Sequence, residues 1–329
     1  MRVLMFGRGV ISTIYGRALQ AAGHDVEFYV RPGRVAELGG VVRVDVIDGR
    51  RHPLGRRVRE PFRTTLRDSL APEDGFDLIV LSIAHHRLAE AAAFLAPRIG
   101  GATVLVFGNV WEEPLVAVAP LPADRVVFGF PQAGGGFGDD GVLHGALFRS
   151  VVIGTNGAAP SRRELDVQAV FRQAGLAIRV EHDMRGWLLL HFVSDAGMLA
   201  QGVRSGALAN MIGDRRAFRD AFLTTRELLP LLEARRVDLR QHRSALLPFR
   251  RPRLFATMSA ATTALLPIAQ SSLAAHTDPN AAEARAVLED TMREAHRLDI
   301  PVPRLERAIG TRARDLPIAL REHGRDERG

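Results

Sequence analysis

Two glycines, Gly7 and Gly9, follow a short apolar run and precede a stretch with helical periodicity. Glycines in such a turn let the backbone approach a ligand closely, and the next helix offers unpaired N–H groups and a positive dipole end. This arrangement binds phosphate groups. Together with the glycines, the first helical residues would bind the phosphates, namely Val10, Ile11 and Ser12. Ser12 stands in place of the third glycine of the dinucleotide-binding motif.

The glycine turn lies inside a predicted βαβ unit. Residues 2–6 read as a strand, 12–22 as a helix and 25–30 as a second strand, which places two parallel strands in one sheet. Gly16, one turn into the helix, is expected to relieve crowding between helix and strand. A glycine-rich turn without a ligand and a nucleotide loop of the methyltransferase type remain as alternatives.

The residues after the second strand bear on the choice of nucleotide. Sites for NAD usually place an Asp or Glu there, about 20 residues beyond the glycines, to bind the ribose hydroxyls. This chain has Arg31 and Arg34 instead. Because a guanidinium can bind a 2′-phosphate through two hydrogen bonds, the sequence favours NADP(H) over NAD(H). Solvation of an ordinary loop is the alternative explanation for both arginines.

The element pattern changes near residue 182. Before it, the sequence predicts buried strands at 77–83, 102–107 and 126–130, extended edge segments at 141–144 and 148–154, a helix capped by Ser161 and Glu164, and a last strand at 177–180. After it come long helical stretches at 187–201, 214–235, 254–266 and 281–298. We therefore expect a doubly wound α/β Rossmann domain over 1–182 and an all-α domain over 183–329.

Composition excludes several chemistries. The chain contains 44 Lys plus Arg residues, all of them arginine, and no cysteine. Schiff bases, a P-loop lysine, disulfides and thiolate metal sites are therefore impossible, and the histidines lack metal-ligand spacing. The net charge of +7 is spread over short clusters without aromatic interleaving, so we expect no nucleic-acid partner. No apolar run suits a membrane span or a signal peptide, which predicts a cytoplasmic protein.

The run from Gly7 to Val26 resembles the start of the ketopantoate reductases (2-dehydropantoate 2-reductases). Val106-Phe107-Gly108-Asn109 resembles the segment that ends a sheet strand in that family. Ser271-Ser272, Glu283 and Ile300-Pro301-Val302-Pro303 occur at the family's mutual spacings. The resemblance implies a helical domain like that of 6-phosphogluconate dehydrogenase, an active site in the cleft between the domains, and a homodimer.

The same resemblance assigns roles to particular residues. It implies that Asn109 lies near nicotinamide and orients the substrate, that Ser271 or Ser272 binds the substrate carboxylate, and that Glu283 accepts a hydrogen bond from the substrate hydroxyl. For Glu283, an acid that stabilises the first turn of a helix is the alternative.

The family's proton donor is a lysine two residues after a tryptophan, followed by asparagines four and eight residues later. After Trp187 this chain has Leu189, Val193 and Gly197 in those positions. What remains on the helix is His191, with Asp195 one turn further on the same face. A His-Asp pair could act as general acid, whereas a structural histidine satisfied by Asp195 is the alternative.

The leading hypothesis is an NADPH-dependent oxidoreductase that reduces the carbonyl of a small 2-oxo acid or a related compound. His191, Asn109 and Glu283 are its candidate catalytic residues, and His85 and His86, at the end of a sheet strand, are further candidates for the proton donor. A non-catalytic NADPH-binding sensor or scaffold and a basic nucleic-acid binder built on a Rossmann domain are the rival hypotheses.

Overall fold

The structure is a computed structural model that describes residues 1–52, 54–155, 159–274 and 282–315. In these ranges the strands are β1 Arg2–Phe6, β2 Asp25–Tyr29, β3 Val41–Asp48, β4 Arg56–Arg63, β5 Thr65–Arg67, β6 Leu78–Leu81, β7 Thr103–Phe107, β8 Val126–Phe130, β9 Ala133–Phe137, β10 Leu143–Leu147, β11 Ser150–Gly154 and β12 Ala177–Glu181. The helices are α1 Val10–Ala21, α2 Arg34–Leu38, α3 Leu88–Leu95, α4 Pro114–Ala117, α5 Arg162–Gln173, α6 Met184–Ser205, α7 Arg215–Ala234, α8 Leu247–Arg250, α9 Pro252–Leu265, α10 Pro267–Ala274, α11 Ala282–Arg297 and α12 Pro303–Asp315.

An eight-stranded sheet forms the centre of the N-terminal part. Its order is β12-β11-β8-β7-β6-β1-β2-β5, and of its seven strand pairs only β11 with β8 is antiparallel. The register sets Val3 beside Val26 on one side and beside Leu78 on the other. The predicted βαβ unit and the doubly wound α/β class are confirmed. The central strands β6 and β7 are buried along their whole length, as is typical of strands covered on both faces of a sheet.

Helix α1 packs on the sheet through a small residue. Tyr15, Ala18 and Leu19 are fully buried, and Gly16 faces β2. A Cβ atom on Gly16 would lie 2.5 Å from Cζ of Phe28, so no larger residue fits there without a shift of the ring. The close packing that the sequence assigned to Gly16 is confirmed.

A second sheet of four strands, in the order β4-β3-β10-β9, was not predicted. Strand β3 alternates in the expected manner for a half-buried strand, because Val42, Val44 and Val46 are each 3% exposed while Asp45 faces outward. The prediction that residues 141–144 extend the large sheet was wrong, because β10 pairs with β3 and β9 in the small sheet. The prediction for 148–154 was wrong about its place, because β11 lies inside the large sheet between β8 and β12.

Helix α5 begins as the sequence predicts. The Ser161 hydroxyl accepts a hydrogen bond from the Glu164 N–H, and the Glu164 carboxylate accepts one from the Ser161 N–H at 2.5 Å. This reciprocal capping box fixes the first turn of α5.

The chain forms two compact units. The first contains the described residues of Met1–Leu189 and Thr262–His276, and the second those of Leu190–Ala261 and Thr277–Gly329. The second unit therefore starts later than the sequence-based division at 182, and a segment of the helical region belongs to the first unit. The reason is that α10 packs on β10, β9 and β3. None of the described helices is long and apolar enough to span a membrane.

Within the second unit the described residues form no strand, and helices pack through apolar stripes. Helix α7 buries Phe218, Ala221 and Leu228, and α11 buries Val287 and Leu288. The Glu227 carboxylate accepts hydrogen bonds from the N–H groups of Arg304 and Leu305, at 2.8 and 3.3 Å, which caps the first turn of α12.

Candidate cofactor and substrate sites

The glycine turn has the geometry that phosphate binding needs. Gly7 has φ +101°, a left-handed conformation that favours glycine, and its N–H donates to the Tyr29 carbonyl at 2.9 Å. A Cβ atom on Gly9 would meet nothing within 4 Å, so open space lies in front of the helix. Helix α1 has no side-chain cap, and the N–H groups of its first turn are thus available to an anion.

The predicted residues of this turn differ in what they can contribute. Val10 and Ile11 are half-buried and pack against the core of the sheet. Ser12 is 1% exposed, and its hydroxyl oxygen is buried without a hydrogen-bond partner among the described residues. A diphosphate at the turn would therefore interact with the backbone of these residues and not with the Ser12 side chain.

A cavity of about 330 Å³ opens beside the turn, at the ends of β1, β2 and β6. Its charged lining consists of four arginines and one acid, namely Arg8, Arg31, Arg34, Arg87 and Glu90. The strong positive excess fits a phosphorylated ligand. Both arginines predicted to recognise the 2′-phosphate, Arg31 and Arg34, thus line one cavity with Gly7.

The four arginines have different surroundings. Arg31 is exposed, and its guanidinium makes no hydrogen bond or ion pair within the described ranges. Arg34 forms an ion pair with Glu37, and Arg87 lies 3.5 Å from the Glu90 carboxylate. A phosphate could therefore bind the Arg31 guanidinium without displacing a protein carboxylate.

Arg8, between the two glycines, was not among the predicted residues. Its Nη1 donates to the carbonyl oxygens of Leu38 and Gly39, at 2.9 and 3.2 Å, which ties the turn to the loop after α2. Burial lowers the pKa of the Arg8 guanidinium, and the positive charge of Arg34 lowers it further. An anion in the cavity would offset both effects.

The apolar wall of the cavity is aromatic. The rings of Phe6 and Tyr29 stack at 5.0 Å between centroids, and Phe94 lies 5.2 Å from Tyr29. All three line the cavity. A planar heterocycle can pack against such a wall, while the arginines bind phosphate. Aromatic residues at the ends of β1 and β2 were the sequence signal for this wall, and the sequence-based prediction of the site did not include them.

The carboxyl ends of β6 and β7 carry the other polar candidates of the first unit. Asn109 follows β7 by two residues and is half-buried, and a Cβ atom on the preceding Gly108 would lie 3.6 Å from the Ile83 carbonyl oxygen. His85 is 9% exposed and contacts His86 edge to face, with 5.5 Å between ring centroids. Ligands of doubly wound sheets bind at this edge.

The Ser271 hydroxyl makes a hydrogen bond within the protein. It donates to the Gly145 carbonyl at 2.9 Å, which fastens α10 to β10. The single hydroxyl proton of Ser271 is thereby used within the protein. Ser271 and Ser272 both lie on α10, in the first unit.

The face of α6 that is polar in the resembled family is apolar and buried here. Leu189 and Val193 are 0% exposed, and a Cβ atom on Gly197 would lie 2.1 Å from Oγ1 of Thr225 and 2.8 Å from the Ala221 carbonyl oxygen. Packing therefore occupies all three positions, which leaves them no access to a substrate.

His191 and Asp195 lie on the accessible face of α6. Nε2 of His191 is 3.5 Å from Oδ1 of Asp195, and their side chains are 30% and 33% exposed. Glu283 of α11 belongs to the same unit. Surrounding protein atoms raise the pKa of its carboxyl by desolvation, and the charge of Asp195 raises it further. The structure thus brings His191, Asp195 and Glu283 into one electrostatic group.

No cluster of His, Asp or Glu among the described residues could hold a metal ion. The candidate chemistry of the described residues is therefore a nucleotide cavity in the first unit and a titratable group in the second.

Residues 3–157 match the family model described as ketopantoate reductase PanE/ApbA. No curated protein matches the sequence at a significant level. Solved structures with the same fold include a 2-dehydropantoate 2-reductase from Geobacter metallireducens GS-15, with 19% identity, a TM-score of 0.62 and coverage of 94% of this chain and 97% of that chain. A putative ketopantoate reductase from Ralstonia solanacearum MolK2 has 15% identity, a TM-score of 0.61 and 98% coverage of both chains.

A ternary structure of D-mandelate dehydrogenase with NADH and anilino(oxo)acetate has 13% identity, a TM-score of 0.67 and coverage of 94% of this chain and 96% of that chain. These likenesses confirm the fold class, a Rossmann sheet followed by a helical region.

Proposed function

From the match of residues 3–157 to the ketopantoate reductase family model, we propose that the protein is an NADPH-dependent oxidoreductase that reduces the carbonyl of a small 2-oxo acid or a related compound. The observation that carries the proposal is the cavity beside Gly7, because its arginines supply the charge that a phosphorylated dinucleotide requires. The proposal further includes a cytoplasmic homodimer without a nucleic-acid partner.

The residues of the first unit fit a dinucleotide. The backbone N–H groups after Gly9 would bind its diphosphate, the aromatic wall at Tyr29 its adenine, and Arg31 the 2′-phosphate. A nicotinamide bound there supplies hydride chemistry. Asn109 would orient the carbonyl compound through its side-chain amide, since it lies at the carboxyl edge of β7.

The residues of the second unit fit proton delivery. Reduction of a carbonyl needs a proton on the oxygen, and the chain has no lysine to donate it. We assign this step to His191, because Asp195 can hold its ring in place at 3.5 Å and an imidazole can act as a general acid. Glu283 would accept a hydrogen bond from the hydroxyl of the product.

A second candidate function rests on the buried face of α6. Since Leu189, Val193 and Gly197 replace the polar residues of the resembled family and are packed, the chain could bind NADPH without turning it over, as a sensor or scaffold.

Two measurements separate these functions. Calorimetric titration with NADPH and NADH tests the cofactor, and the loss of NADPH absorbance with a panel of 2-oxo acids, aldehydes and ketones tests turnover. Binding with turnover supports the oxidoreductase, and binding without turnover supports the sensor. If neither cofactor gives heat at millimolar concentration, both the oxidoreductase and the sensor proposals are overturned. If the protein instead binds DNA with an affinity that falls steeply as salt increases, the nucleic-acid hypothesis is supported.

A further inference from the structure

A second arginine-lined cavity lies in the helical unit. Its volume is about 350 Å³, and its lining residues are Arg215, Arg216, Arg219, Arg253 and Ala256. Three of the arginines come from the first two turns of α7, and the fourth from the first turn of α9. The cavity is thus built from two helices that are separate in sequence, and its charged lining has a single sign.

Several arginines elsewhere in this unit are neutralised by carboxylates. Arg297 lies 2.7 Å from the Glu294 carboxylate, and Arg240 lies 3.0 Å from that of Asp238. Around the cavity the pattern differs. Arg219 pairs with Asp220 at 3.2 Å, but in the described part of the chain Arg215, Arg216 and Arg253 have no carboxylate within ion-pair distance.

The carboxylate nearest in sequence is already engaged. Asp214 caps α7, where its Oδ1 accepts hydrogen bonds from the N–H groups of Arg216 and Ala217 at 2.7 and 3.1 Å. It therefore satisfies the helix end and does not line the cavity. Guanidinium groups gathered around one space repel each other, and an anion in that space would remove the repulsion.

We propose that this cavity binds a small polyanion that carries at least two phosphate groups. Guanidinium groups recognise phosphate through paired N–H donors, and four of them can share two phosphates. The volume lies within the range of small-molecule sites, about 300 to 1,000 Å³. This site is separate from the glycine turn, because all of its lining residues belong to the second unit, and it does not depend on the proposed redox function.

The experiment uses inorganic tripolyphosphate as the probe, measured by isothermal titration calorimetry and by thermal shift. The test variant Arg216→Gln/Arg253→Gln removes two lining charges, both on exposed side chains. The matched control Arg226→Gln/Arg285→Gln removes two exposed charges of the same unit that lie outside the cavity. Arg31→Gln removes a charge from the dinucleotide cavity.

We expect the test variant to bind tripolyphosphate at least tenfold more weakly than the wild type, because each lost guanidinium removes charge-assisted hydrogen bonds. The control variant should bind it as the wild type does, and Arg31→Gln should keep the binding that the test variant loses. The wild type should gain thermal stability on binding, since the ligand stabilises the folded state, and the test variant should lose this gain.

Three results would overturn the proposal. The first is equal weakening in the control variant, which would indicate general surface charge. The second is loss of binding in Arg31→Gln alone, which would place the probe in the dinucleotide cavity. The third is binding to phosphatidylglycerol vesicles or to duplex DNA in the absence of tripolyphosphate binding, which would assign these arginines to a membrane surface or to nucleic acid.

Discussion

Phe28 of β2 lies directly over Gly16 of α1, and a Cβ atom on Gly16 would be 2.5 Å from Cζ of this ring and 3.3 Å from Cγ of Met5. Both neighbours are fully buried. We expect Gly16→Ala to lower the free energy of unfolding by about 1 to 3 kcal/mol, the usual range for an overpacked core. Urea unfolding followed by circular dichroism measures this difference.

Gly9→Ala is the matched control. Gly9 has φ −78°, which any residue adopts, and its added Cβ would meet no protein atom within 4 Å. Stability should therefore remain unchanged, whereas NADPH should bind at least about tenfold more weakly because the methyl group occupies the space for the diphosphate. An unstable Gly9→Ala with normal cofactor affinity would contradict the assignment of this turn.

The large sheet was predictable because its strands have a strong signal. An apolar run such as 126–130 is too hydrophobic for a surface segment and therefore indicates a buried strand. Strand β8 has the predicted bounds. The small sheet was missed because its strands look like loops. Strand β4 carries arginines and Pro61, and β9 contains three consecutive glycines, which usually indicate turns. Pairing with β3 and β10 overrides these local preferences.

The sequence predicted those candidate site residues that lie together in one segment. The turn at Gly7 and the loop at Arg31 are local features, so spacing alone located them. Arg87 and Phe94 join the same cavity only because β6 lies beside β1 in the sheet. That neighbourhood follows from strand order, which one sequence does not determine.

Arg31 should determine the choice of cofactor. Because its guanidinium is exposed and lines the cavity, Arg31→Ala should weaken NADPH binding by about 10- to 150-fold, which corresponds to about 1.5 to 3 kcal/mol for a charge-assisted contact. NADH binding should change less than about twofold. Calorimetry with both cofactors measures this, and Arg63→Ala, an exposed arginine of β4, serves as control. Equal losses for both cofactors would argue against 2′-phosphate recognition.

Asp45 should stabilise the small sheet in a pH-dependent manner. Hydrogen bonds from Arg57 and Arg59 lower the pKa of its carboxyl to about 2, and its side chain is 11% exposed. A lowered pKa in the folded state contributes stability above the unfolded pKa, near 4, and this contribution disappears as the pH falls towards 2.

Asp45→Asn should therefore lower the free energy of unfolding at pH 7 by about 1 kcal/mol, since both arginines are exposed and screened by solvent. The difference should shrink as the pH falls from 5 to 2. Asp166→Asn, which breaks the exposed pair with Arg162, should show a smaller change at pH 7. A loss for Asp45→Asn that is constant over this pH range would exclude a charge effect.

The effect of pH on stability through Glu283 should have the opposite sign to the effect through Asp45. Desolvation and the charge of Asp195 raise the pKa of its carboxyl, so the folded state binds this proton more tightly than the unfolded state. Its contribution to stability is complete below the unfolded pKa and is lost as the pH rises through the folded pKa. Glu283→Gln should thus raise the melting temperature at pH 7, and the gain should disappear below about pH 4. A lower melting temperature at pH 7 would contradict this sign.

His191 should donate the proton in carbonyl reduction. Its Nε2 lies 3.5 Å from Oδ1 of Asp195 on the accessible face of α6, and positioned general acids contribute about 10² to 10⁴ in rate. For a substrate that the wild type reduces, we expect His191→Ala to lower kcat by this factor and to leave the dissociation constant of NADPH unchanged. Steady-state kinetics and NADPH titration measure the two quantities.

Asp195→Asn separates donation from positioning, because it keeps the imidazole but removes the carboxylate beside it. We expect a smaller loss of kcat than for His191→Ala and an altered pH profile, since the charge near the donor changes. Ser194→Ala is the control, because the Ser194 hydroxyl donates to the Leu190 carbonyl at 2.7 Å within the same helix. If His191→Ala keeps the full rate, the proton must come from another group, and the exposed His86 and Glu283 are then the residues to substitute next.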